Sequence, residues 1–209
     1  MKRFITLLSL IISTAISLAA QPKIYIEGTM FPMARINETP LSFNFSYNED
    51  DNLRESRPIL ILETGIQYRY SRWDFSLGLQ ISDLEFVGNP VVPYGDVTYN
   101  VWWMDVPMMA SWTIMSADKM SLFAGIGPYL GFKLSETVSC YYTDEQFGNL
   151  DSGLTMKAGV CLWNHAMITL KYNHGFVDVF AAGAYPPTSR VHPSKAYRHS
   201  LGLFVGYLF

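Results

Sequence analysis

Apolar and polar residues alternate one by one along several segments of this chain. Between Trp73 and Ser82 every odd position is apolar and every even position is small or polar. Side chains of an extended strand point alternately to its two faces, whereas the apolar positions of a helix recur about every 3.6 residues. The alternation therefore predicts strands that have one wholly apolar face, and it excludes a mainly helical fold.

The same alternation recurs along most of the chain. It is clear in residues 154–162 and 168–173 and less regular in the earlier segments. Together these segments predict eight strands, at residues 23–31, 60–70, 73–82, 102–113, 121–134, 154–162, 168–173 and 200–209. In the last of them, Phe204 and Leu208 are apolar exceptions on a small or polar face.

The connections between these segments alternate in length. Short turns are expected near residues 71–72, 116–118 and 163–165. The long connections are mostly rich in Pro, Asn, Asp or Gly, and they cover residues 33–57, 83–97, 136–151 and 178–196. Short turns at one rim and long loops at the other are typical of bacterial outer-membrane barrels, in which the short turns are periplasmic. An even number of strands then places both termini on the periplasmic side.

The composition indicates that something other than water covers much of the surface. Hydrophobic residues make up 49% of the chain and charged residues only 16%, against about 25% in ordinary soluble domains. The apolar faces carry aromatic residues near the short turns, namely Tyr70, Trp73, Trp112, Tyr207 and Phe209. Such aromatic girdles are typical of membrane barrels, and a closed sheet leaves no unpaired backbone in lipid.

We therefore predict an all-β fold, an eight-stranded antiparallel up-and-down transmembrane β-barrel. The alternatives are a secreted β-sandwich and a soluble ligand-binding barrel. In either alternative the polar faces would meet water, yet they are rich in glycine and poor in charge. Small inward-facing residues fit the crowded lumen of a barrel of only about eight strands.

The start of the chain has the parts of a cleavable signal peptide. Lys2 and Arg3 precede an apolar run, and small residues follow it up to Ala20. We predict a signal peptide at residues 1–20 and an outer-membrane barrel domain at residues 21–209. The alternative is an uncleaved anchor, although the run is shorter than the ~20 residues of a spanning helix. Removing both basic residues changes the net charge from −3 to −5, so no nucleic-acid partner is expected.

The predicted inward face carries charges of both signs. These charged residues are Glu27, Glu63, Arg69, Asp105, Lys133, Lys157 and Lys171. Buried charges must be paired or solvated, so we predict a structural network of salt bridges and hydrogen bonds that fills the lumen. The alternative is a small gated pore or a proton-linked site.

The last predicted strand places Tyr207 and Phe209 on its apolar face. An aromatic residue at the carboxyl end of such a strand resembles the signal that the barrel assembly machinery reads. We therefore expect these two residues to act as a C-terminal assembly signal, with the barrel assembly machinery as a partner during biogenesis.

Several segments resemble the PorT-like outer-membrane β-barrel proteins of Bacteroidota. The resemblance is carried by residues 103–108 (WMDVPM), 123–132 (FAGIGPYLGF), 153–159 (GLTMKAG), 170–175 (LKYNHG) and 206–209 (GYLF). Asp105 stands where that family more often has glutamate, and the long loops have no recognisable match. The resemblance implies an eight-stranded barrel related in architecture to OmpA and OmpX domains. It implies no single function, because the founding members are linked to secretion and gliding while many relatives have no assigned role.

Candidate catalytic and metal-ligating residues are sparse. The histidines, His165, His174, His192 and His199, show no ligand-like spacing. The triplet at 198–200 (RHS) resembles the histidine and serine of outer-membrane lipid A deacylases, but adjacent residues of a strand point to opposite faces. We therefore predict no enzyme activity, no cofactor and no metal. Acidic residues at 49–51 and 144–145 suggest either a divalent ion that bridges lipopolysaccharide or, more simply, solvated loops.

Cys140 and Cys161 are expected to be free. Cys140 lies in a predicted loop, and Cys161 lies near the opposite rim of the following strand. At about 3.3 Å per strand residue their separation far exceeds the ~7 Å limit between the Cα atoms of a disulfide.

The predicted function is that of a non-enzymatic integral outer-membrane protein of the cell envelope. We expect a plugged polar lumen and long extracellular loops that serve a structural, surface-interaction or secretion-associated role. The expected partners are outer-membrane lipid, lipopolysaccharide and an envelope or secretion protein. The alternatives are a small passive pore and an outer-membrane lipid-modifying enzyme.

Overall fold

The computed structural model describes residues 22–37, 53–88, 97–138, 147–179 and 197–209. These ranges contain eight strands, which are β1 (Lys23–Asn37), β2 (Leu53–Tyr70), β3 (Trp73–Gly88), β4 (Val97–Ala117), β5 (Met120–Val138), β6 (Leu150–Leu162), β7 (Ala166–Gly175) and β8 (Tyr197–Leu208). No helix in the described ranges is long and apolar enough to cross a membrane.

Each strand pairs antiparallel with the next one in the chain, and β8 pairs with β1. The sheet is therefore a closed up-and-down barrel, which confirms the predicted fold class. Closure pairs both edges of the sheet, so no strand of the barrel presents an open row of backbone donors and acceptors.

Most strands are longer than the alternation predicted. β4 runs for 21 residues and β2 for 18. Bulges explain part of the difference, because β2 shifts register against β3 between Arg54 and Ser56 and again between Pro58 and Leu60. A bulge places two residues opposite one and resets the alternation, so the pattern is lost while the pairing continues. Consequently the predicted long connections begin and end partly inside strands.

The short turns lie where they were predicted. Ser71, Trp163 and Asn164 have positive φ angles of 58°, 51° and 62°, which is the left-handed conformation that tight hairpin turns require. The turn between β4 and β5 is equally short, since Ala117 pairs with Met120. These three turns all lie at one rim, which we call the short-turn rim.

The outer surface of the barrel is apolar. Ile24, Ile66, Leu77 and Leu170 are each at least half exposed, and they belong to the faces that the sequence predicted to be outward. Aromatic side chains border this surface near the short-turn rim. Trp73 and Trp112 contact each other edge to face at 4.8 Å, as do Tyr207 and Phe209 at 4.9 Å.

The interior contains large aromatic side chains as well as the predicted small and polar residues. Those buried inside include Tyr25, Trp103, Tyr129 and Phe204. Glycines make room for them and for the charged groups. A Cβ atom on Gly131 would collide with the carboxylate of Asp105 and contact the guanidinium of Arg198, and one on Gly78 would collide with Tyr25 and Glu63.

Candidate functional site

Two ionic clusters occupy the middle of the barrel. In the first, which we call the Lys171 cluster, the ammonium of Lys171 donates to Glu27 Oε2 at 3.0 Å and to Glu63 Oε2 at 2.5 Å. Tyr25 donates its hydroxyl hydrogen to Glu63 Oε1 at 2.6 Å, and Thr169 donates to Glu27 Oε1 at 3.2 Å. One cation is therefore shared by two carboxylates, and each carboxylate accepts a further hydrogen bond.

The second cluster, which we call the Arg198 cluster, has the same charge pattern. Arg198 donates from Nη2 to Asp105 Oδ1 at 2.5 Å and from Nε to Asp151 Oδ2 at 2.8 Å. Gln80 donates to Asp105 Oδ2 at 3.0 Å, and Tyr129 donates to Asp151 Oδ2 at 2.8 Å. Here too one cation lies between two carboxylates.

Side chains of the interior aromatic residues lie against both cations. The ammonium of Lys171 is 4.4 Å from the ring centre of Phe204. The guanidinium of Arg198 is 4.6 Å from the ring of Trp103 and 5.5 Å from that of Tyr129. Cations over aromatic faces are stabilised further where water is excluded.

Together the two clusters involve every strand of the barrel. The Lys171 cluster joins side chains from β1, β2 and β7 and contacts Phe204 of β8. The Arg198 cluster joins side chains from β3, β4, β5, β6 and β8. The contacts therefore cross the interior instead of following neighbouring strands, and they tie opposite walls of the barrel to each other.

Two further ion pairs lie toward the ends of the barrel. Near the short-turn rim, Arg69 forms a bidentate pair with Asp74, at 2.7 Å and 3.0 Å. Toward the opposite end, Lys133 contacts Glu136 Oε2 at 3.0 Å and donates to the carbonyl oxygen of Phe147. The Arg69 side chain is 46% exposed, whereas both members of the Lys133 pair are buried.

Lys157 differs from the other interior cations. Its ammonium lies 3.5 Å from Ser76 Oγ and about equally far from the rings of Tyr25 and Phe123, at 6.0 Å and 5.8 Å. Within the described ranges no carboxylate forms an ion pair with it. It lines a cavity toward the short-turn rim, together with Ser111, whose hydroxyl is buried without a hydrogen-bond partner.

The structure brings only some of the seven predicted lumen residues together. Glu27, Glu63 and Lys171 meet in one cluster, while Asp105 belongs to the other. Arg69 and Lys133 lie toward opposite ends, and Lys157 stands apart from the ion pairs. All seven come from the inward faces, but they do not form one continuous network.

Sequence reasoning missed two central members of the Arg198 cluster. Asp151 falls in a predicted long connection, although it is the second residue of β6, and Arg198 precedes the predicted last strand. Extending the alternation beyond the predicted strand ends places both side chains inward. Arg198 is four residues from the inward-facing Gly202, and Asp151 is four residues from the inward-facing Thr155, so each pair shares a strand face. Glu136 likewise falls in a predicted connection, although it lies within β5.

The predicted assembly-signal residues Tyr207 and Phe209 lie on the outer surface at the short-turn rim. Tyr207 pairs with Ile26 of β1 and with Ala166 of β7. The backbone N–H of Phe209 donates to the carbonyl oxygen of Ile24 at 2.8 Å. Their place in assembly stays a prediction.

Two histidines that show no ligand-like spacing in the sequence are neighbours in the structure. The register of β7 and β8 places His174 directly opposite His199, with ring centres 4.6 Å apart. His165 lies at the short-turn rim, where its ring stacks on Tyr207, and His192 is outside the described residues. Within the described ranges, no group of three or more His, Cys, Asp or Glu side chains is placed to hold a metal ion. Cys161 is free and buried, while Cys140 is outside the described residues.

A closed eight-stranded barrel with an apolar outer surface, an aromatic border and buried charges inside defines the class of integral β-barrel membrane proteins. Residues 31–181 match the family described as outer membrane protein beta-barrel domain. The chain belongs to this family, and it is an outer-membrane protein.

Several solved structures are similar to this chain. OprG of Pseudomonas aeruginosa is 12% identical with a TM-score of 0.49, and the alignment covers 90% of this chain and 94% of that one. Ail of Yersinia pestis is 14% identical with a TM-score of 0.43, covering 90% and 97%. The N-terminal barrel domain of Pseudomonas aeruginosa OprF is 11% identical with a TM-score of 0.42, covering 90% and 100%. No curated protein matches the chain.

Proposed function

We propose that this chain is a non-enzymatic outer-membrane barrel whose lumen is closed by its two ionic clusters. Its role is structural, surface-interacting or secretion-associated, and its long connections face the cell exterior. The observation that carries the proposal is the set of buried contacts across the interior. Arg198 alone reaches Asp105 on β4 and Asp151 on β6.

A conducting pore needs a continuous path of water, and the packing of this interior opposes one. The carboxylates and cations of both clusters are almost fully buried. Trp103 and Tyr129 are also buried beside Arg198. Opening a path would require Lys171 or Arg198 to leave its carboxylates, and a buried pair that loses one partner is destabilised by about 3–5 kcal/mol.

The orientation follows from the turns. Short turns of bacterial barrels are periplasmic, so both termini of the barrel belong on the periplasmic side. Residues 1–20 act as a signal peptide that directs export to the periplasm. Tyr207 and Phe209 are exposed at that rim, where the barrel assembly machinery would bind them. The longer connections then meet lipopolysaccharide and an envelope or secretion protein. The resemblance to PorT-like proteins supports this assignment and a source among Bacteroidota.

Single-channel recording tests the closed lumen. Protein refolded into planar bilayers should give no steady current. The double variant Lys171→Ala/Arg198→Ala should give a current, because it removes both cations that cross the interior. Lys119→Ala, in an exposed turn, is the matched control and should stay silent.

A steady current from the unaltered protein would contradict the proposal. It would favour the second candidate, a small passive pore. Heat-modifiable gel migration shows whether each variant is folded. Whether the lumen conducts is decided by the recording on the unaltered protein, even if a variant does not fold. A change in the mass of lipid A from expressing cells would instead support a lipid-modifying enzyme.

A further inference from the structure

Three side chains with metal-binding atoms meet on the outward side of β7 and β8, away from both ionic clusters. His174 is the penultimate residue of β7, and His199 is the third residue of β8. The hydroxyl of Tyr172 lies 2.9 Å from Nδ1 of His174 and 3.3 Å from Nδ1 of His199. Two imidazole nitrogens and one phenolic oxygen therefore face one small volume.

The surroundings hold these rings in place. Tyr172 stacks on His199 with an interplanar angle of 9°, and Phe176 meets His174 edge to face at 5.0 Å. Both histidines are buried although their strand positions point outward, at 4% exposure for His174 and 0% for His199. Nε2 of His199 is buried without a hydrogen-bond partner. This nitrogen is not the Nδ1 that faces Tyr172, so it points away from the volume that the three donor atoms share and is free to take a further hydrogen bond.

The two oxygen-to-nitrogen separations, 2.9 Å and 3.3 Å, are close to those of ligands around one metal ion. A tetrahedral ion with bonds of about 2.0–2.1 Å holds its ligand atoms about 3.3 Å apart. The phenolic oxygen lies near that distance from each nitrogen. Cross-strand pairing fixes both histidine backbones, so the ligands would need little rearrangement to bind.

We propose that His174, His199 and Tyr172 form a site for a divalent transition-metal ion such as Zn²⁺ or Cu²⁺. Imidazole and phenolic donors suit these ions better than Ca²⁺ or Mg²⁺, which take oxygen ligands. The imidazoles bind in their neutral form, and Tyr172 releases its phenolic proton to solvent when it binds. Three protein ligands leave the fourth position to water.

Metal titration of the folded full-length barrel in detergent micelles tests the site. Zn²⁺ binding is followed in competition with a chromophoric chelator, and one tight equivalent is expected per chain. His174→Phe and His199→Phe should each weaken binding at least about tenfold, the scale seen even when supporting residues of metal sites are changed. Tyr172→Phe should weaken it less. His165→Phe, at the opposite rim, is the matched control and should bind as tightly as the unaltered protein.

Cu²⁺ provides a second readout that reports the ligands directly. Electron paramagnetic resonance of the one-equivalent complex should show coupling to two nitrogen nuclei, and Tyr172→Phe should remove a phenolate-to-copper charge-transfer band. Absence of a stoichiometric Zn²⁺ or Cu²⁺ complex in the folded barrel would overturn the proposal. So would a complex that survives unchanged in the His174→Phe/His199→Phe double variant.

Discussion

The two ionic clusters share a charge pattern but differ in how well their carboxylates are satisfied. In the Lys171 cluster, Tyr25 and Thr169 donate to the carboxylate oxygens that Lys171 leaves free. In the Arg198 cluster, Arg198 and Tyr129 both donate to the same oxygen of Asp151. The other oxygen, Oδ1, is buried without a hydrogen-bond partner.

The shapes of the two cations account for this difference in hydrogen bonding to the carboxylates. The ammonium of Lys171 is a compact charge that contacts two carboxylates, and the second lysine, Lys157, lies nearby on β6 directly opposite Lys171. The guanidinium of Arg198 is a planar fork that fixes the directions of its bonds and stacks on Trp103. We infer that the Arg198 cluster depends on one residue, whereas the Lys171 cluster has a second cation close by.

The largest effect is expected for Arg198→Met. The substitution leaves Asp105 and Asp151 buried without their cation, and breaking a buried pair in this way costs about 3–5 kcal/mol. Urea unfolding of the barrel in lipid vesicles, followed by tryptophan fluorescence, measures the loss. Arg198→Lys keeps the charge but not the planar guanidinium, so its stability should lie between that of the unaltered protein and that of Arg198→Met. A loss below about 1 kcal/mol for Arg198→Met would remove the basis of the comparison.

A smaller loss is expected for Lys171→Met. Glu27 and Glu63 lose their shared cation, but the ammonium of Lys157 is positioned to move toward them, so we expect about 2–3 kcal/mol, just below the range for an uncompensated pair. The same unfolding measurement applies. The double variant Lys157→Met/Lys171→Met removes both cations and should lose clearly more than Lys171→Met. If Lys171→Met destabilises the barrel more than Arg198→Met, the proposed role of Lys157 is wrong.

The smallest effects are expected for Tyr25 and Tyr129, which each donate a hydrogen bond to a carboxylate of one of the two clusters. Tyr25→Phe removes the tyrosine hydrogen bond to Glu63 Oε1, whereas Tyr129→Phe removes one of two described bonds to a single oxygen of Asp151. A hydrogen bond to a charged group contributes about 1.5–3 kcal/mol. We expect Tyr25→Phe to fall in that range and Tyr129→Phe at or below its lower end, because Arg198 still binds that oxygen. Equal losses in the unfolding measurement would count against the difference in satisfaction.

The inward direction of the charged residues in the Lys171 cluster could be predicted from the sequence, whereas that of Arg198 and Asp151 was missed. Glu27, Glu63 and Lys171 lie inside predicted strands, so their inward direction follows from the alternation. Arg198 and Asp151 lie just beyond the predicted strand ends. The alternation marks only the part of a strand with a uniformly apolar outer face, and the strands continue past it.

Which side chains meet could not be predicted for either cluster. Parity gives the face of a residue, but its partners depend on the register between strands and on the reach of side chains across the interior. Lys171 meets Glu27 and Glu63 over separations of 144 and 108 positions. The same holds for His174 and His199. They lie opposite each other because of the register between β7 and β8, which the sequence pattern does not give.

The closed strand order has a consequence for how the barrel is completed. Seven of the eight strand pairings join consecutive strands, and only β1 with β8 joins distant parts of the chain. Both contacts of Lys171 reach across that junction, from β7 to β1 and β2. We therefore expect Glu27, Glu63 and Lys171 to remain hydrated until the first and last strands meet. We expect the pairing of β1 with β8 to bury the Lys171 cluster at the same time. The ion pairs of the cluster then stabilise the closed barrel and not the open sheet.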